Sequence, residues 1–195
     1  MPGDLFLLDT DILSYIGRQR PPPGLRKWLI ALGAERLAIS FPSIAELRRG
    51  AHLLEHTHPE KAVAISHWVD ELLRTDFLLL PMTPEVAAVY ATMTSTRCLR
   101  PLWTVESGAK HNRLGHDLMV ASVAIAHGAA IMTANTRDYL RVHDLFPLPG
   151  VYDPLRQKWC VRPPHDMRLP PWEVGEPLFE ATLPRIGTND QALSP

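Results

Sequence analysis

The sequence predicts an α/β fold: a mostly parallel sheet of about four or five strands, doubly wound and covered by helices on both faces. Two observations predict it. Short continuous apolar runs, as in strands buried on both faces, alternate with stretches of helical periodicity. No internal repeat or low-complexity tract interrupts that alternation. A third observation concerns placement: an acidic or amide side chain stands at several points where a run ends or a helix begins.

Leu5 to Leu8 is the first apolar run, and it ends at Asp9. Asp11 reads as the cap of a helix through Ile12, Leu13, Tyr15 and Ile16, closed by Gly17. Pro21-Pro22-Pro23-Gly24 is a rigid loop, after which Leu25, Trp28, Leu29 and Leu32 recur at helical spacing up to Gly33. Arg36 to Phe41 reads as the second strand. A helix starts at Ser43, with Ile44, Leu47, Ala51 and Leu54 inward, and His58-Pro59 opens another through Val63, Trp68, Val69, Leu72 and Leu73.

Phe77 to Leu80 reads as a third buried strand, stopped by Pro81. Pro84 suits the first turn of a helix through Val86, Val89, Tyr90 and Met93. Arg97 to His116 loses periodicity and holds Pro101, Gly108 and Gly115, so it reads as a long loop. Asp117 then opens an apolar helix that ends at His127-Gly128. Ala129 to Thr133 is the fourth strand, a short helix covers Arg137 to Val142, and Val151-Tyr152 suits an edge strand. Beyond Asp153, Pro154, Pro163, Pro164, Pro170, Pro171, Pro177 and Pro184 interrupt regular structure. The expected division is a domain over residues 1–153 and a Pro-rich extension over 154–195, in which Trp159, Trp172, Leu178 and Phe179 can dock on a surface.

Composition narrows the function classes. The 195 residues are 46% hydrophobic and 21% charged, as in an ordinary globular domain. A formal net charge of −1 gives no global pull toward nucleic acid, so local basic residues must hold any RNA or DNA. Cys98 and Cys160 lack the spacing of a zinc or disulfide framework, and a reducing compartment fits best. The start Met-Pro-Gly-Asp-Leu lacks a basic leader, and no apolar run approaches a membrane span. The expectation is a soluble cytoplasmic protein with no membrane partner.

In an alternating fold the carboxyl ends of parallel strands share one edge, where such folds bind ligands. Asp9 ends the first strand there. Glu46 lies near the end of the second, although Ser43-x-x-Glu46 also reads as a capping box. A helix preceding a parallel strand begins at the same edge, which delivers Asp117, itself in an N-cap position. Asn135 follows the fourth strand, and Asp138 stands three residues on, where it can instead cap or pair with Arg141. Capping competes with ligation at each position; the shared edge favours ligation. Gathered carboxylates repel, and a divalent cation is the usual remedy. Oxygen-only ligands suit Mg²⁺ or Mn²⁺ better than zinc, and such an ion activates water toward a phosphodiester.

His52, His56 and His58 lack metal-binding spacing and read as surface residues; His116 beside Asp117 either contacts substrate or, as the favoured reading, is an exposed loop histidine. Arg48, Arg49, Arg97, Arg100, Lys110, Arg113, Arg137 and Arg141 border the acidic edge, where they can meet phosphates. Trp103 either stacks on an unpaired base or anchors its loop.

Taken together, Leu7-Leu8-Asp9-Thr10-Asp11, Ala45-Glu46-Leu47-Arg48-Arg49-Gly50, Gly115-His116-Asp117 with the helix to His127-Gly128, and Thr133-Ala134-Asn135-Thr136-Arg137-Asp138-Tyr139 resemble the PIN-domain ribonucleases. The likeness is greatest to the VapC-type toxins of type II toxin–antitoxin pairs and their FitB-like relatives, and it spans about residues 4–153. The resemblance implies that Asp9, Glu46 and Asp117 are the acidic metal ligands. It further implies that Asn135 or Asp138 completes the catalytic set. It also implies Mg²⁺- or Mn²⁺-dependent endonucleolytic cleavage of RNA, a homodimer, and inhibition by a cognate antitoxin inserted near the acidic pocket. Two other readings compete. A haloacid-dehalogenase-like phosphatase would use Asp9 as nucleophile and Asp11 as general acid, although Leu13 stands where that motif wants Thr or Val. A non-catalytic RNA-binding or antitoxin-binding module would use the acids only as caps.

Overall fold

The structure is a computed structural model that describes residues 4–104, 116–173 and 183–187. One sheet organises it, in the order β3-β2-β1-β4-β5-β6. Strand β1 is Phe6–Leu8, β2 Leu37–Ser40, β3 Leu78–Leu80, β4 Ala130–Met132, β5 Val151–Asp153 and β6 Lys158–Val161. The first five are mutually parallel and β6 is antiparallel to β5. The helices are α1 (Thr10–Gly17), α2 (Leu25–Leu32), α3 (Phe41–His52), α4 (Pro59–Leu72), α5 (Pro84–Ser95), α6 (His116–His127) and α7 (Thr136–His143).

Side-chain alternation along the central strands explains the two-faced cover. Phe6, Leu8, Ile39 and Met132 pack with Leu13, Ile16, Leu25, Trp28 and Trp68 of α1, α2 and α4. Leu7, Ala38 and Ile131 point the other way, into Val86, Met93, Leu118, Ala121 and Tyr139 of α5, α6 and α7. Every residue of β1, β2 and β4 is buried, as continuous apolar strands require.

Several expectations change. The sheet has six strands, one more than expected, and Val151–Asp153 is interior because β6 covers it. The extra strand arises from a tight turn: Asp153 Oδ1 accepts from the N–H groups of Leu155 (2.9 Å) and Arg156 (3.1 Å). Gln157 takes the left-handed conformation at φ 52°, a place usually marked by Gly or Asn. Strand β3 forms the opposite edge, so Leu78 and Leu79 are exposed rather than buried. Helix α3 begins at Phe41, not Ser43, and the long loop contains a 3₁₀ turn over Arg97–Leu102 that buries Leu99 and Leu102. The remainder of that loop, including Lys110, Arg113 and Gly115, lies outside the described residues.

Beyond β6 the extension packs on the α1–α2–α4 face. Trp28 Nε1 donates to Pro170 O at 3.0 Å, Arg36 Nη1 to Arg168 O at 2.8 Å, and Trp172 packs against Trp28 with centroids 5.5 Å apart. Met167 and Leu183 are buried with the main core. Leu178 and Phe179 fall outside the described residues. No helix among the described residues is long and apolar enough to cross a membrane.

Candidate active site

The carboxyl edge of β1 and β4 carries the site. Asp9 extends β1 by one backbone bond, its N–H reaching Met132 O at 3.1 Å, and its side chain caps α1 by accepting from Thr10 N at 2.8 Å. The other carboxyl oxygen accepts from Thr133 Oγ1 at 2.8 Å, across from the end of β4. Asp9 is buried, 5% exposed. Burial, then the charges of Asp11 and Asp117, push its carboxyl well above the ordinary carboxylate range, and the bonds from Thr133 and Thr10 offset only part of this.

Asp11 does not cap α1, because Asp9 does. Instead its Oδ2 gathers the turn after β4, accepting from Ala134 N (2.8 Å), Asn135 N (3.0 Å) and Thr133 Oγ1 (3.3 Å). Burial raises its carboxyl, against those same donors. Its Oδ1 is buried without a properly formed hydrogen bond, as is the nearby hydroxyl of Thr10.

Glu46 is freed from the capping role that the sequence pattern suggests. Ser40, not Ser43, occupies the N-cap of α3, and Ser43 is buried with its hydroxyl 3.2 Å from that of Ser40. Glu46 consequently sits in the second turn and turns to His116, with Oε2 3.5 Å from Nδ1. The His116 contact holds its carboxyl below the usual range, with lesser help from Thr10 and Arg49. His116 is therefore no exposed loop residue: its side chain is 17% exposed, and it opens α6.

Asp117 lies within the first turn of α6 rather than at a cap, and its charge reaches Asp9 and the buried Tyr139. Tyr139 lies beside this cluster. Burial raises its hydroxyl far above the ordinary value, and the charges of Asp9, Asp117 and Asp11 add to that; no fully formed hydrogen bond satisfies it. Asn135 occupies the N-cap of α7 and donates through Nδ2 to Asp138 Oδ2 at 3.2 Å. Asp138 is buried and accepts this bond from Asn135.

Asp9, Asp11 and Asp117 thus form one electrostatic group, and Glu46 reaches it through Thr10 and His116. Among the described residues, however, no three His, Cys, Asp or Glu side chains converge tightly enough to hold an ion between them as they stand. The donor chemistry still suits a hard cation: carboxylate oxygens dominate, the Asp9 carboxyl is raised by burial and then by its neighbours' charge, and a buried Asp11 oxygen has no properly formed hydrogen bond. Sequence reasoning assigns Thr133 and Tyr139 no role in this group, their one signal being that they flank Asn135 and Asp138 in one motif; His116 it offers only as an alternative substrate contact beside Asp117.

The other sequence candidates separate from the cluster. Arg48 pairs with Asp70 at 2.5 Å, and His52 with Glu55 at 2.5 Å on the surface. Trp103 packs against the α5–α6–α7 core, as an anchor for its loop does. Cys98 is exposed and Cys160 half-buried.

Residues 6–144 match the family model described as the PIN domain. The chain belongs to the PIN-domain family. Solved structures share the fold. VapBC-1 from nontypeable Haemophilus influenzae matches at 24% identity and TM-score 0.50, covering 72% of this chain and 94% of that one. FitAB bound to an IR36 DNA fragment matches at 22% identity and TM-score 0.52 (77% and 96%). VapBC2 from Rickettsia felis, bound to a DNA fragment from its promoter, matches at 21% identity and TM-score 0.52 (76% and 99%). No curated protein shows significant sequence similarity. The family match ends at 144, so β5, β6 and the extension lie beyond it within this PIN protein.

Proposed function

We propose that this PIN protein is a divalent-metal-dependent endoribonuclease, the toxin of a toxin–antitoxin pair. One observation carries the reading: at the carboxyl edge of the sheet the charges of Asp11 and Asp117 both act on Asp9, which holds its group in a buried site that disfavours charge. Such an arrangement costs stability and suits chemistry. Family membership and the VapBC and FitAB assemblies that share the fold support the same conclusion.

In this reading Asp9, Glu46 and Asp117 hold Mg²⁺ or Mn²⁺, and Asn135 or Asp138 closes the rim. When bound, the ion neutralises phosphoryl charge and acidifies water. The protein's own groups do the positioning. Thr133 fixes one oxygen of Asp9 and leaves it a single orientation. Asp11 ties down the turn that carries Asn135. Arg137 lies in the first turn of α7 at this edge and the charge of Arg49 reaches Glu46, and in this reading both meet RNA phosphates. A homodimer and a cognate antitoxin belong to the same proposal, as does a cytoplasmic setting, and the extension after residue 153 is read as an addition to the nuclease domain.

A capping-only, non-catalytic module is the second reading, favoured by the lack, among the described residues, of three such side chains close enough to share an ion and by the bond from Thr10 to Asp9. Mn²⁺ titration separates the two. The nuclease reading expects Mn²⁺ to raise the melting temperature of the wild type but not of Asp9→Asn or Asp117→Asn; a capping module expects no metal response in any of them. The phosphatase reading fares worse, since it needs Asp11 to deliver a proton, whereas its Oδ2 accepts from the amides of Ala134 and Asn135.

A further inference from the structure

Leu183–Gly187 lies across the far end of α1, and main-chain atoms hold it there. Trp68 Nε1 donates to Pro184 O at 3.0 Å, and Arg26 donates to the carbonyls of Leu183 and of Pro184 (3.4 Å). Ile186 N donates to Gly17 O at 2.8 Å, satisfying a carbonyl at the C-terminus of α1. The same guanidinium also reaches Ile16 O at 2.7 Å, so one buried cation bridges the helix end and the crossing segment. Leu183 is 7% exposed, Arg26 6% and Trp68 1%, so the contact is desolvated on both sides. Gly17 permits the approach: a Cβ there would stand 2.7 Å from the Trp68 ring and 3.1 Å from Ile186 Cδ1.

Reading a partner through its carbonyls and one amide, with apolar side chains set between, is how grooves receive extended peptides. Pro184 fixes one backbone angle beforehand and lowers the ordering cost of such a ligand. We propose that the groove between α1, α2 and α4 is a peptide-docking site whose ligand is the chain's own Leu183–Gly187 segment, which docks and releases as a unit while the domain stays folded. A short segment outside the sheet opens locally more easily than a sheet core does. Helix α1 has 8 residues and spans about 12 Å. Asp9 and Asp11 stand at its other end, so docking steadies the helix that bears them without covering them. The inference is independent of the nuclease reading.

The probe is a fluorescein-labelled peptide of residues 181–189, titrated into the full-length protein and into full-length Leu183→Asp/Ile186→Asp, whose own segment is spoiled for docking. Cis occupancy lowers the apparent affinity of a trans ligand, so the double variant is expected to bind saturably and at least about tenfold tighter than the wild type. Equal binding by both proteins, or binding by neither, overturns the proposal. Hydrogen exchange on the unaltered protein gives a second readout should the double variant not fold. Amides of 183–187 are expected to exchange well before those of β1. Exchange of both only through global unfolding would refute release as a unit.

Discussion

Asp9 carries two loads. Its side chain caps α1 and takes a hydroxyl from Thr133, both roles that an amide can partly fill, yet its charge is buried among like charges. Asp9→Asn is therefore expected to stabilise the metal-free protein, by on the order of 1 kcal/mol or about 2–4 °C in melting temperature. The sign with pH follows from the raised carboxyl. The folded protein holds that proton above the ordinary value of 3.8, so wild-type stability falls as pH rises through the folded value. The stability gap between variant and wild type should be small at and below pH 3.8 and widen above it in denaturant titrations. Glu46 behaves oppositely. Its carboxyl is lowered from 4.5 by His116, so its contribution is present above that pH and fades as pH falls through the folded value. His116→Ala should abolish that part of the acid dependence in the same titrations.

At the scale of elements, Gly17 closes α1 where the Trp68 ring and Ile186 leave no room for a Cβ. Gly17→Ala is expected to destabilise the fold by about 1–3 kcal/mol, because the Trp68 ring and Ile186 must both give way. Thermal denaturation reads it; an unchanged midpoint would mean that the helix end yields freely. The elements also show what patterning reveals and what it hides. Leu5–Leu8, Leu37–Ile39 and Ala129–Met132 are legible as buried strands because continuous apolar runs fit a sheet covered on both faces. Leu78–Leu80 looks the same in sequence yet is an edge strand, since nothing local encodes the order of strands. Strand β6 escaped notice because its turn uses Asp153 and Gln157 in place of a glycine signal, amid prolines. Ser43-x-x-Glu46 matched a capping box, but Phe41 and Pro42 already continue β2 into α3, which moves the cap to Ser40.

For the whole molecule, the fold brings the charge of Asp117 from a distant part of the chain to Asp9 and Asp11, a group in which the sequence reads Asp11 as a helix cap. What sequence did not disclose was the inner support: Thr133 on Asp9, Asp11 on the 134–135 turn, and His116 on Glu46. Those contacts depend on side-chain directions that only tertiary packing decides. Cleavage of total RNA by purified protein tests the nuclease account most directly, with Mn²⁺, with chelator, and with folded Asp9→Asn and Asp117→Asn. The account expects discrete cleavage products with Mn²⁺, none after chelation, and a loss of about 100-fold or more in rate for each variant. Cutting that persists undiminished in chelator and in both variants would contradict it.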